Sequence, residues 1–132
     1  LKLRPGLTVH FELGRAVVGQ CGALITKVLY VKENAIKKFA IVDSGFTDLI
    51  RPALYDAHHK IINLNSTEKE ETYDVVGPIC ESSDVFDKNI RLPKTKRGDF
   101  LAILSAGAYG EIMASTYNCR KLPVGYIDEE VV

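Results

Sequence analysis

Hydrophobic positions along this chain recur mostly with a period of two. Leu7, Val9 and Phe11 alternate with Thr8, His10 and Glu12, which predicts a strand over 7–12. Leu13, Gly14 and Arg15 interrupt it. A longer strand-like stretch follows over 16–31, with bends expected at Gly19 and Gly22. Polar residues 32–38 predict a turn and 39–43 a return strand, so that the two stretches form an antiparallel hairpin. Residues 48–62, of mixed polarity around Pro52, predict a short helical turn and then a strand. Residues 63–72 are polar and acidic and read as an exposed loop. Tyr73 to Cys80 reads as a strand in which Pro78 calls for an edge, a bulge or an end. Residues 88–97, with Pro93, read as a loop, and Asp99 to Leu104 as a continuous apolar strand. The small residues of 105–118 leave turn, short helix and loop open. Several strands with scarce helical periodicity predict an all-β barrel or sandwich.

Composition narrows what this domain can do. The 132 residues suit one domain with a core of its own. Lys plus Arg and Asp plus Glu are equal at 17 each, so no bulk field draws in nucleic acid, and Lys94-Thr95-Lys96-Arg97 reads as a solvated loop. No apolar run is long enough for a membrane-spanning helix, and residues 1–6 lack a signal-peptide core. The cysteines, Cys21, Cys80 and Cys119, are few and odd in number, which predicts free thiols in a reducing, cytoplasmic setting rather than a disulfide framework. His10, His58 and His59 have no metal-ligand spacing with them, so no metal site is expected. The chain opens without Met and in mid-pattern, and it reads as a piece of a longer protein.

Four places carry residues with chemistry beyond packing. Glu12-Leu13-Gly14-Arg15 puts a glycine, which lets backbone approach a ligand, beside a permanently charged fork for carboxylate or phosphate; taken alone, the four residues read first as a tight turn with a surface ion pair. Arg51-Pro52-Ala53-Leu54-Tyr55 can put a guanidinium and a phenol on one side of a short turn, or simply an exposed charge and a half-buried aromatic. Cys80-Glu81, after an apolar strand, offers a thiol able to pass a proton, or a small buried hydrophobe. Ala106-Gly107-Ala108-Tyr109-Gly110 leaves room for a flat ring or phosphate beside Tyr109, or forms a turn with an anchoring aromatic.

Singly these signals are weak, but their order and wording are specific. The segments Asp48-Leu49-Ile50-Arg51-Pro52-Ala53-Leu54-Tyr55-Asp56-Ala57, Asp74-Val75-Val76-Gly77-Pro78-Ile79-Cys80-Glu81-Ser82 and Leu104-Ser105-Ala106-Gly107-Ala108-Tyr109-Gly110 resemble the diaminopimelate decarboxylases, of the alanine-racemase-like pyridoxal-phosphate class. Gly14-Arg15 is similar to the end of that family's Glu-Pro-Gly-Arg motif, and Met113-Ala114-Ser115-Thr116-Tyr117-Asn118 to its closing segment.

The resemblance implies a two-domain enzyme that decarboxylates meso-diaminopimelate to L-lysine. Residues 1–14 would be the last strand of an N-terminal (β/α)8 barrel absent from this chain, and 15–132 a β-rich C-terminal domain. The lysine that bonds pyridoxal 5′-phosphate would belong to that barrel, and no lysine here sits in a recognisable motif for it. Family correspondence makes Cys80 the proton donor and assigns Arg15, Arg51, Tyr55, Glu81 and Tyr109 to substrate. Glu12, Leu13, Gly14, Arg15 and Tyr109 fall to the cofactor. Cys80 and Glu81 would serve the neighbouring subunit's site, which implies a homodimer. The chain departs from the family at Leu13 (Pro there), at Ser83 (Gly there) and in its tail over 119–126. Two other readings are a relative acting on ornithine or lysine, and a non-catalytic β domain for dimer assembly.

Overall fold

The computed structural model describes residues 4–127; residues 1–3 and 128–132, the outer ends of the two expected segments, lie outside the described residues. Six strands form one sheet, β1 (Ala23–Glu33), β2 (Lys38–Val42), β3 (Ile61–Asn63), β4 (Glu70–Val76), β5 (Val85–Pro93) and β6 (Phe100–Leu104), in the order β3-β6-β1-β2-β4-β5. All neighbouring pairs are antiparallel except β2 and β4, which run parallel. The two outer strands, β3 and β5, approach each other, so the sheet curls almost into a barrel. This is the predicted all-β class, and β1 with β2 is the predicted hairpin.

The inside of the curl is the core. Val28, Val42, Leu49, Tyr73, Val75, Leu92, Leu101 and Ile103 are all buried there. Tyr73 keeps its hydroxyl satisfied at depth, donating to Glu71 (2.9 Å) and accepting from the Thr95 backbone N–H (3.0 Å). Burial of such a ring with both polar roles met is what lets an aromatic sit in a small core.

Four expectations change. Residues 7–12 form no strand: alternation supplies a face, but backbone N–H and C=O groups need a neighbouring strand, and none lies beside this segment among the described residues. The long stretch from 16 divides. Arg15–Val18 is a single helical turn (α1), Gly19–Cys21 a 3-10 turn, and the strand starts only at Ala23. A Cβ on Gly22 would lie 2.7 Å from the Gly107 Cα, so the chain bends where two backbones touch. The strand expected to reach Cys80 stops at Val76, and 77–84 is a loop. Val85–Pro93 is strand β5, although 88–97 read as loop. It lies at the end of the strand order, where Pro93 and a mostly polar outer face are tolerated. The helical turn expected after 48 is Arg51–Tyr55 (α2), and the open 105–118 segment holds two 3-10 turns, Glu111–Met113 and Tyr117–Cys119.

Candidate active site

The arginine of α2 lies at the centre of the first cluster. Leu49, 1% exposed, anchors the chain just before the helix, and Pro52 fits its first turn, where no backbone donor is needed. Asp56 ends the helix in a left-handed conformation (φ 52°) with its N–H on the Arg51 carbonyl. Arg51 therefore projects from a fixed turn. Its guanidinium carbon lies 5.4 Å from the centre of the Tyr55 ring and 5.8 Å from that of Tyr109, within cation–π range of both. The Arg51 Nε is buried and meets no acceptor among the described residues.

Tyr109 reaches this place on a constrained loop. Ser105 and Tyr109 both have φ 61°, and a Cβ on Gly110 would lie 2.5 Å from the Ala106 carbonyl oxygen. The Ala106 N–H donates to the Gly22 carbonyl (2.8 Å) and the Gly107 N–H to that of Gly19 (3.1 Å). Those bonds tie the loop to the segment carrying Gly14 and Arg15, and a Cβ on Gly14 would sit 3.6 Å from the Tyr109 hydroxyl. Arg15, Gly14, Tyr109, Arg51 and Tyr55 thus come from three separate sequence segments to one region. Glu12 and Leu13 are exposed on its approach, and Glu12 makes no ion pair among the described residues.

Cys80 and Glu81 stand on the 77–84 loop, both exposed, so Cys80 is not the buried hydrophobe that its sequence neighbourhood also allowed. Buried Asp84 shapes that loop. Its carboxylate accepts the Ile79 N–H (2.6 Å) and the Phe46 N–H (2.7 Å), while its own carbonyl takes the Gly77 N–H (3.0 Å). Burial dominates the Asp84 carboxyl and raises its pKa, against the pull of those two donors. Ser83 stays out of the left-handed region, so the family's glycine is not required there. The Glu81 carboxylate accepts from the Tyr117 hydroxyl (2.5 Å), whose ring leans on Phe46 at 5.8 Å. The hydrogen bond to Glu81 raises the Tyr117 phenol above its usual range. Sequence reading placed Tyr117 only within a closing segment. No hydrogen bond, ion pair or ring contact joins Cys80 or Glu81 to Arg51, Tyr55 or Tyr109 among the described residues.

His59 is a buried residue that the sequence did not single out. It is 1% exposed, and its Nδ1 lies 2.9 Å from the Leu104 carbonyl oxygen. Burial lowers its pKa below the usual 6.5, the carbonyl opposes this, and the charges of Arg15, Arg51 and His58 add to the lowering. With its folded pKa depressed, His59 contributes stability present above about pH 6.5 and lost as pH falls through its folded value. Urea midpoints should therefore fall between pH 7 and 5 by more than in His59→Leu; equal falls in both proteins would remove this assignment.

No group of His, Cys, Asp and Glu side chains among the described residues has the arrangement of a metal site. No helix among them is long and apolar enough to cross a membrane. The chemistry of the donor set does suit an anionic cofactor and an amino-acid substrate. A guanidinium, a phenol and an open glycine face the same region.

The curled sheet thus sets arginines beside tyrosines, with a thiol and a carboxylate on a separate loop. The family profile described as "Pyridoxal-dependent decarboxylase, C-terminal sheet domain" matches residues 16–107, and the chain belongs to that family. It is 71% identical, over its whole length, to the diaminopimelate decarboxylase of Bacteroides thetaiotaomicron, of which it covers 34%. With that of Zymomonas mobilis it shares 44% identity over 85% of the chain and 27% of the relative. Among solved structures, diaminopimelate decarboxylase from M. jannaschii in co-complex with L-lysine superposes with a TM-score of 0.81 at 44% identity, covering 83% of this chain and 25% of that one. A lysine/ornithine decarboxylase from Vibrio vulnificus, at 24% identity and TM-score 0.74, shares the fold. The chain spans about a third of the B. thetaiotaomicron relative and about a quarter of the other two diaminopimelate decarboxylases.

Proposed function

We propose that this chain is the C-terminal part of a diaminopimelate decarboxylase, acting with an N-terminal (β/α)8 barrel to convert meso-diaminopimelate to L-lysine and carbon dioxide. The observation that carries this reading is the Arg51 guanidinium, fixed against the rings of Tyr55 and Tyr109. Diaminopimelate differs from lysine and ornithine by a distal carboxylate, and a forked cation is the group that recognises one. Family correspondence and 71% identity to a protein of that name support the same substrate.

In this reading Gly14, Arg15 and Tyr109 help hold pyridoxal 5′-phosphate, with Glu12 and Leu13 on the approaching backbone. That cofactor, when bound, withdraws electrons from the α-carbon so that carbon dioxide can leave. Arg15, Arg51 and Tyr55 orient the distal carboxylate, and Glu81 takes the distal ammonium. The Cys80 Sγ then delivers a proton to the α-carbon. Cys80 and Glu81 stand apart from the Arg51 cluster on their own loop, as groups lent to a second subunit's site would, and this supports a homodimer. Three exposed free thiols suit the reducing cytoplasm.

The test is turnover by the full-length protein: release of carbon dioxide from meso-diaminopimelate is expected, and turnover of ornithine in its place would overturn the substrate. Arg51→Leu should lower kcat/KM for diaminopimelate about 100-fold, the scale of losing a charge-assisted hydrogen-bonded pair. A loss under threefold would remove Arg51 from recognition.

A further inference from the structure

Glu81 stands on an exposed loop, where a long and flexible side chain has many orientations open to it. The structure gives its carboxylate one hydrogen-bonding side chain among the described residues, the Tyr117 hydroxyl at 2.5 Å. The phenol donates and the Glu81 Oε1 accepts, which leaves Oε2 free. Tyr117 is itself held. Its ring leans on Phe46, and two residues before it the Ser115 N–H donates to the Thr47 carbonyl (2.9 Å). Three residues after it the Arg120 guanidinium donates to the Asp43 carbonyl and lies 3.9 Å from the Asp48 carboxylate. Between these anchors Asn118 and Cys119 take left-handed backbone (φ 57° and 58°), which residues other than glycine keep where their surroundings fix it. The 43–48 segment that receives the anchors also supplies the Phe46 N–H to Asp84, the residue that shapes the 77–84 loop. Residues 115–120 therefore hold the same frame as the Cys80 and Glu81 loop, and Tyr117 joins the two by reaching Glu81.

We propose that Tyr117 is a positioning residue for Glu81, aiming its free carboxylate oxygen at the distal ammonium of an amino-acid substrate. The inference deepens the reading in which Glu81 takes that ammonium, and it rests on it. A carboxylate attracts an ammonium from any side, so charge alone sets no direction. Ordering a loose side chain when substrate binds costs affinity, and a side chain held beforehand avoids that cost. With Oε1 engaged by the phenol, Oε2 is the oxygen left to receive the ammonium, and its direction follows from where the ring is anchored. In the homodimer reading, the closing segment of one subunit thus shapes the groups that subunit lends to the other.

The test uses the full-length protein with its cofactor. Tyr117→Phe keeps the ring against Phe46 and removes only the donor. It should raise KM for diaminopimelate about tenfold, the low end for one hydrogen bond to a charged group, with kcat within about twofold and an unchanged melting temperature. In a Glu81→Ala background the same change should have no further effect on KM, because its target is gone. An unchanged KM, an equal rise in both backgrounds, or a joint fall in kcat and melting temperature would overturn the proposal. A second measurement reads the link without substrate. With 13C at the tyrosine Cζ, Tyr117 should ionise at higher pH in the wild type than in Glu81→Ala, since donating to a carboxylate holds the proton on the phenol. The Cys80 thiol also bears on that phenol and is common to both proteins. Equal midpoints overturn the link whatever the enzyme acts on. A wild-type protein inactive on diaminopimelate would sink the substrate reading and the ammonium role with it, and the titration would still decide the link.

Discussion

Replacing Cys80 by alanine in the full-length protein is expected to lower kcat about 100-fold, the low end of the range for losing a proton-transferring group. The thiol is exposed at the turn of the 77–84 loop and in no disulfide, so its removal leaves little cavity and should not disturb the fold. Cofactor absorbance and KM should change little, because the arginine and tyrosine cluster lies on other segments. In the proposed role the defect would fall on protonation of the α-carbon, so it should show as a fall in kcat with retained binding. Serine at this position should do no better than alanine, since a hydroxyl is a far weaker acid than a thiol. Wild-type kcat in Cys80→Ala would give the proton to another donor.

Gly77→Ala should damage both stability and activity. An added Cβ would lie 2.3 Å from one Asp84 carboxylate oxygen and 2.6 Å from the other. Asp84 cannot easily step aside, because its carboxylate holds the Ile79 and Phe46 N–H groups and its carbonyl holds the Gly77 N–H. Relief must come from the 77–84 backbone itself, which carries Cys80 and Glu81. A stability loss of about 1–3 kcal/mol is expected from overpacking, read as a lower urea midpoint. Activity should fall further than stability, since the loop is displaced even in folded molecules. Asp84→Ala in the same background should recover little, because it frees the space but strips two backbone donors of their acceptor. Unchanged stability in Gly77→Ala would show that the loop is looser than its hydrogen bonds imply.

The motifs around Arg51, Cys80 and Tyr109 could be read from the chain because each is contiguous and built of residue types that packing alone does not select. The hairpin of β1 and β2 was equally legible, since alternation reports which face is buried. Strand β5 was not. Its inward series Phe86, Ile90 and Leu92 is broken by exposed Lys88 and its outer face is mostly polar, so the alternation is weak and pairing with β4 is what marks it. Residues 7–12 failed the opposite way, with the right alternation and no neighbour to complete a ladder.

The sequence by itself determined that this is a β-rich domain with arginine, tyrosine, cysteine and glutamate in motif order. Only the tertiary structure decided that Arg51 lies between Tyr55 and Tyr109, that Cys80 and Glu81 stand on a loop shaped by Asp84, and that His59 is buried. Tyr117 meeting Glu81 belongs with these. The physical reason is range. Motifs and alternation are properties of neighbouring residues, whereas these contacts join segments up to tens of residues apart, and only the curl of the sheet brings those segments together.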